Sequence, residues 1–124
     1  MSDFNIASYP AAESCRLVDF EKAEIHPGTL PGTWFLAVSG IKPCLNMRVE
    51  LVPRFFVRCP EYWGIEVMGC LPDGICLPAV EPYKVTTQLA GVTGSKGIEV
   101  IGANKYEKVK VSGGCEHLAA QTSN

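Results

Sequence analysis

The residues with the most chemistry in this chain are six cysteines and two histidines. Cys70 and Cys76 flank a Pro72–Asp73–Gly74 turn, and Cys115 and His117 are one residue apart. Thiolates and imidazoles together could hold zinc, which makes Cys70, Cys76, Cys115 and His117 the candidate metal ligands, with Cys44, Cys59 and His26 as further sources. Structural zinc sites bring ligands in tight pairs such as C-x2-C, because one turn must present two sulfurs to a tetrahedral ion. No such pair occurs, so the spacing favours packed or surface cysteine over a metal centre, and no cofactor is expected. Nucleophilic catalysis by a thiol would need a histidine within reach and a third group to orient it. His26 adjoins a Pro-Gly turn, and His117 lies in a stretch opened by Gly113–Gly114, a poor platform for preorganised chemistry. An enzyme is therefore the less favoured reading.

The loop Gly91-Val-Thr-Gly-Ser-Lys-Gly97 superficially suggests a phosphate cradle. The P-loop places its Lys after the last Gly and opens a helix, whose N-terminus holds the phosphate. Here Gly97 follows Lys96 and an extended stretch comes next, so a flexible hairpin loop is expected. Glu50 and Glu66 share a strand parity but suggest no catalytic pair.

Aromatic and basic residues offer a different chemistry. Phe55–Phe56 and Tyr62–Trp63 are adjacent pairs in extended chain, so each should point one ring inward and one outward. With odd positions inward, Phe55 and Trp63 are core. Phe56 and Tyr62 then face out beside Arg54 and Arg58. Rings and guanidiniums dominate binding hot spots, so Arg54, Phe56, Arg58 and Tyr62 form the candidate binding set for a protein or small-molecule ligand.

The elements that position these residues follow from periodicity. From Leu45 to Val67 nearly every odd position is apolar, and Asn46, Arg48, Glu50, Arg54, Arg58 and Glu66 occupy the even set. A repeat of two is the period of a half-buried strand. Pro53 and Pro60 divide it, predicting strands near 45–52, 54–59 and 62–70. Residues 15–26 alternate with a phase switch at Glu21–Lys22, the mark of a strand with a bulge, although Pro10 to Glu13 could instead open a helix. His26-Pro-Gly28 and Leu30-Pro-Gly32 are turn signals. Thr33 to Ile41 is apolar on both faces and reads as a central strand. Pro78 and Pro82 bracket a loop, 83–89 alternates, and 98–102 pairs with 106–111.

Seven or eight short strands with frequent turns predict an all-β, antiparallel β-sandwich, immunoglobulin-like in architecture. The specific marks of true immunoglobulin domains are missing, because no Tyr-x-Cys corner precedes any cysteine. The expected organisation is an N-terminal arm over 1–13, one domain over 14–112 and a polar tail over 113–124. The length of 124 residues, with 47% apolar and 19% charged, suits one globular core. A net charge of −2 with scattered basic residues argues against nucleic-acid or anionic-membrane partners. Residues 1–10 have neither a basic start nor an apolar run, so a cytoplasmic protein with free thiols is expected. The functional expectation is a non-catalytic binding or interaction module, with an edge near 15–25 as the place for a homodimer contact. The alternatives are a small metal- or thiol-dependent enzyme, or a structural subunit of a larger assembly.

Overall fold

Proline and glycine divide the chain before any strand pairs. In Leu30-Pro31-Gly32-Thr33 the Thr33 amide donates to Leu30 O at 3.2 Å, and Gly32 takes φ +79°. Pro31 presets the second turn position, and Gly32 supplies the positive φ that a type II turn needs at the third. The Gly74 amide likewise closes a turn on Leu71 O at 3.1 Å, with φ +73° at Gly74.

A computed structural model describes residues 14–115. They form eight strands: β1 (Ser14–Leu17), β2 (Lys22–Pro27), β3 (Trp34–Cys44), β4 (Arg48–Pro53), β5 (Tyr62–Leu71), β6 (Pro78–Gln88), β7 (Gly97–Ile101) and β8 (Tyr106–Lys110). The fold is all-β, with two sheets. One is β2-β3-β6, antiparallel throughout. The other has five strands organised around β5. β4 pairs with 65–70 of β5, β7 with 62–66 and β1 with 68–71. A strand has only two edges, so the overlaps put β4 on one edge and β7 and β1 end to end on the other. β8 then continues the sheet beyond β7.

The β5–β7 pair is parallel, which corrects the expectation of a purely antiparallel fold. The cause is topological. The chain leaves β5, crosses to the other sheet as β6, and returns as β7 in its original direction. Only such a crossover can join parallel neighbours.

Both sheets contribute to one core. Leu36 and Val38 of β3 meet Ile65 and Val67 of β5 and Ile98 and Val100 of β7, with Phe20 and Met47 from connections between strands. All of these side chains are essentially inaccessible to water. Burying each stabilises the fold by about 1.5–3 kcal/mol. Two facing sheets over a shared apolar layer make a sandwich-like arrangement.

Three sequence expectations are revised. Residues 15–26 are two strands in different sheets, and the phase switch at Glu21–Lys22 marks the crossing from β1 to β2. Residues 54–61 carry no strand at all. Pro78 opens β6 and Pro82 lies inside it, which the strand tolerates because it is an edge strand. The expected N-terminal arm, 1–13, lies outside the described residues.

Candidate functional site

All six cysteines are oxidised in pairs: Cys15–Cys70, Cys44–Cys76 and Cys59–Cys115. Cys15 and Cys70 are direct cross-strand partners on β1 and β5. The free thiols expected from the sequence are therefore absent. Three disulfides in a chain of this size point to folding in an oxidising environment, which overturns the basis of the cytoplasmic expectation. Among the described residues no helix is long and apolar enough to cross a membrane. Cys70, Cys76 and Cys115, three of the four candidate metal ligands, each belong to a different disulfide, and His117 lies outside the described residues. No group of three or more His, Cys, Asp or Glu among the described residues could hold a metal ion.

The segment between Pro53 and Tyr62 gathers most of the candidate binding residues. It is held at several points. The Arg54 amide donates to Gly64 O at 2.9 Å, the Trp63 indole Nε1–H donates to Arg54 O at 2.8 Å, and Cys59 is bonded to Cys115. Its far end is fixed by the loop before β7. The Ser95 and Lys96 amides each donate at 2.8 Å, to Pro60 O and Glu61 O. Gly94 is glycine because a Cβ there would meet Glu61 O at 2.5 Å. The 91–97 loop, expected to be a flexible hairpin, is thus a tied crossover from one sheet to the other, and its glycines serve close backbone approach. Gly113 to Cys115, read from the sequence as the start of a tail, are likewise fastened to this end: the Cys115 amide donates to Thr93 O at 3.0 Å.

Within this frame the expected parity fails. Phe56 turns back edge-on to Trp63, with ring centroids 5.2 Å apart. Phe55 and Val57 instead stand 87% and 89% exposed. Phe55, expected in the core, is among the most exposed apolar side chains of the described residues. Phe56, Arg58, Cys59 and Trp63 line a hollow of about 320 Å³ beside Gly91, Thr93 and Cys115.

Arg54 and Tyr62 belong to a different surface, the outer face of the five-stranded sheet. Register fixes its composition. Gly64, Glu99 and Lys108 are neighbours across β5, β7 and β8, and Glu66, Ile101 and Tyr106 form the adjacent row. Arg54 extends the first row, because its amide pairs with Gly64 O. Its guanidinium Nε donates to Glu66 Oε2 at 3.0 Å. Arg54, Glu99, Ile101, Tyr106 and Lys108 line an open hollow of about 630 Å³. The Lys108 ammonium lies 5.0 Å from the Tyr62 ring centroid, within cation–π range. The structure therefore divides the four candidate residues into two pairs. Glu99, Ile101, Tyr106 and Lys108 were not singled out from the sequence, although their shared parity on β7 and β8 was visible there.

Tyr83, His26 and Glu24 have structural partners. Tyr83 donates its hydroxyl to Asp19 O at 2.6 Å, tying β6 to the β1–β2 connection. Burial, reinforced by the charges of Asp19 and Glu21, pushes its phenol up to about 12. His26 stacks on Phe35 with centroids 5.3 Å apart and lies 3.4 Å from the Glu24 carboxylate. A hydrogen bond and the charge of Lys22 hold that carboxyl below its usual range. No protein-family model, curated protein or solved structure matches this chain.

Proposed function

We propose that the protein is a disulfide-stapled, non-catalytic binding module that engages a protein partner through the 55–58 segment. One observation carries this reading: two large apolar side chains, Phe55 and Val57, stand in water on a segment fixed by a disulfide and by backbone hydrogen bonds. Folding gains nothing from their exposure. A rigid apolar projection loses little conformational entropy on binding, which makes it an efficient anchor. Arg58, exposed beside it, adds a cation suited to the rim of such a contact. The partner surface implied is an apolar recess with acidic groups at its edge. An immunoglobulin-like architecture adds strand count and two-layer form to this reading but no ligand, since function resides in side chains and not in folds.

The test is a comparison of the wild-type chain with a Phe55→Ser/Val57→Ser variant. Both are immobilised and presented with the same protein mixture. A partner retained by the wild type and lost from an equally stable variant supports the reading. A partner retained equally by both overturns it. Sedimentation over a range of concentrations tells whether the recess belongs to a second copy of the chain, in which case self-association disappears in the variant.

A further inference from the structure

Arg54 holds a guanidinium whose fork is unused. Its Nε is committed to Glu66, and neither Nη has a partner among the described residues. The stem lies across Gly64, where a Cβ would stand 3.0 Å from Arg54 Cδ and 3.2 Å from Ile101 Cδ1. The missing side chain at 64 thus makes a trough in the sheet face, and Arg54 is laid into it. The guanidinium is consequently preorganised: its stem is packed, one nitrogen is anchored, and the remaining donors are half-exposed above an open hollow.

The rest of that hollow fits one class of ligand. Two parallel N–H donors from a planar fork match a carboxylate bidentately. Lys108, next along the same register row beyond Glu99, supplies a second positive charge. Tyr106 is 67% exposed and Ile101 is its cross-strand partner, so an aromatic ring and an aliphatic chain adjoin as an apolar platform. Such a platform suits the C–H face of a pyranose ring. Glu99 and the Tyr106 hydroxyl can exchange hydrogen bonds with sugar hydroxyls. Glu99 repels a carboxylate placed over it and Glu66 occupies the Nε side of Arg54, so the anionic group is left the outward Nη end of the fork. The hollow is open and holds about 630 Å³, which admits more than a single sugar.

We infer that the outer face of the five-stranded sheet binds a saccharide chain bearing uronic-acid carboxylates, with Arg54 as the carboxylate fork and Tyr106 and Ile101 as the stacking platform. This surface is distinct from the Phe55/Val57 projection and does not depend on it.

The experiment titrates the disulfide-intact chain with a short oligogalacturonate, with the methyl ester of that oligomer, and with dextran sulfate, following backbone amide resonances. The uronate is expected to shift Ile101, Tyr106 and Lys108, and its methyl ester to bind at least about tenfold more weakly. Arg54→Lys keeps the charge but removes the fork, and should cost a similar factor, as should Tyr106→Ala. Phe55→Ser/Val57→Ser should bind the uronate as the wild type does, which separates this site from the protein-binding surface. Absence of uronate binding, equal binding of the methyl ester, or wild-type affinity in Arg54→Lys would each overturn the inference. So would dextran sulfate binding as tightly as the uronate, since the surface would then be reading charge alone.

Discussion

One alternating run of sequence has two structural outcomes. In 48–53 and 62–71 the odd residues point inward, and Val49, Ile65 and Val67 are buried. In 54–61 the same alternation leaves Phe55 and Val57 in water and turns Phe56 back onto Trp63. The difference is a pairing partner. β4 and β5 pair with each other over six residues, so a common sheet plane decides which side is inside. Residues 55–61, beyond the last ladder bond at Arg54, are the connection that reverses the chain between them, and no sheet plane extends there. Alternation therefore reports extended chain, whereas inside and outside exist only once a neighbouring strand does.

That contrast can be tested by substitutions of matched type. The largest effect is expected at Ile65, fully buried between the sheets. Ile65→Ala should destabilise by about 2–5 kcal/mol in urea unfolding, and a loss under about 1 kcal/mol would mean that the β5 core face is not packed as described. Next is the staple of the connection. Replacing Cys59 and Cys115 together by Ser should cost about 2–4 kcal/mol. If stability is unchanged, the hydrogen bonds of the segment suffice to hold it.

A smaller effect is expected where a connection is held by a hydroxyl in place of a disulfide. Tyr83 fastens the 18–21 crossing through Asp19 O. Its phenol is raised to about 12 in the folded protein, chiefly by burial. The unfolded chain ionises near the ordinary tyrosine value of about 10, while the folded state keeps its proton. The stabilisation is thus complete below about pH 10 and is lost as pH rises towards about 12, amounting to on the order of 2 kcal/mol. Tyr83→Phe should lack this alkaline loss when unfolding is followed at both ends of that window, and an identical pH profile in the two proteins would exclude the tyrosine as its source. The smallest effect belongs to Phe55. Phe55→Ser should change stability by no more than about 0.5 kcal/mol, against the large loss at Ile65. A loss comparable to that of Ile65→Ala would place the ring in a core.

Local chemistry made part of this molecule legible in its sequence. The turns at Pro31–Gly32 and Leu71–Gly74, the central position of β3, and the β7–β8 pair all follow from φ preferences and apolar periodicity, which act over a few residues. The candidate site was half legible: Arg54, Phe56, Arg58 and Tyr62 are near the surfaces described, but they do not form one site. Arg54 and Tyr62 look out from the five-stranded sheet, and Phe56 and Arg58 line the hollow beside the Cys59–Cys115 bridge. Glu99 and Tyr106 join Arg54 only through the register on β5 of the β7–β8 hairpin, which is distant from Arg54 in sequence.

The sequence by itself determined that the chain is all-β, where most of its strands lie, and which odd positions of β4 and β5 are apolar enough to be core. Tertiary structure alone decided the parallel β5–β7 pairing, the partners of the six cysteines and the exposure of Phe55 and Val57. The physical reason is range. Backbone preference and periodicity act between near neighbours, whereas a disulfide spanning 56 residues, a crossover through the opposite sheet and a buried face all require distant segments to meet.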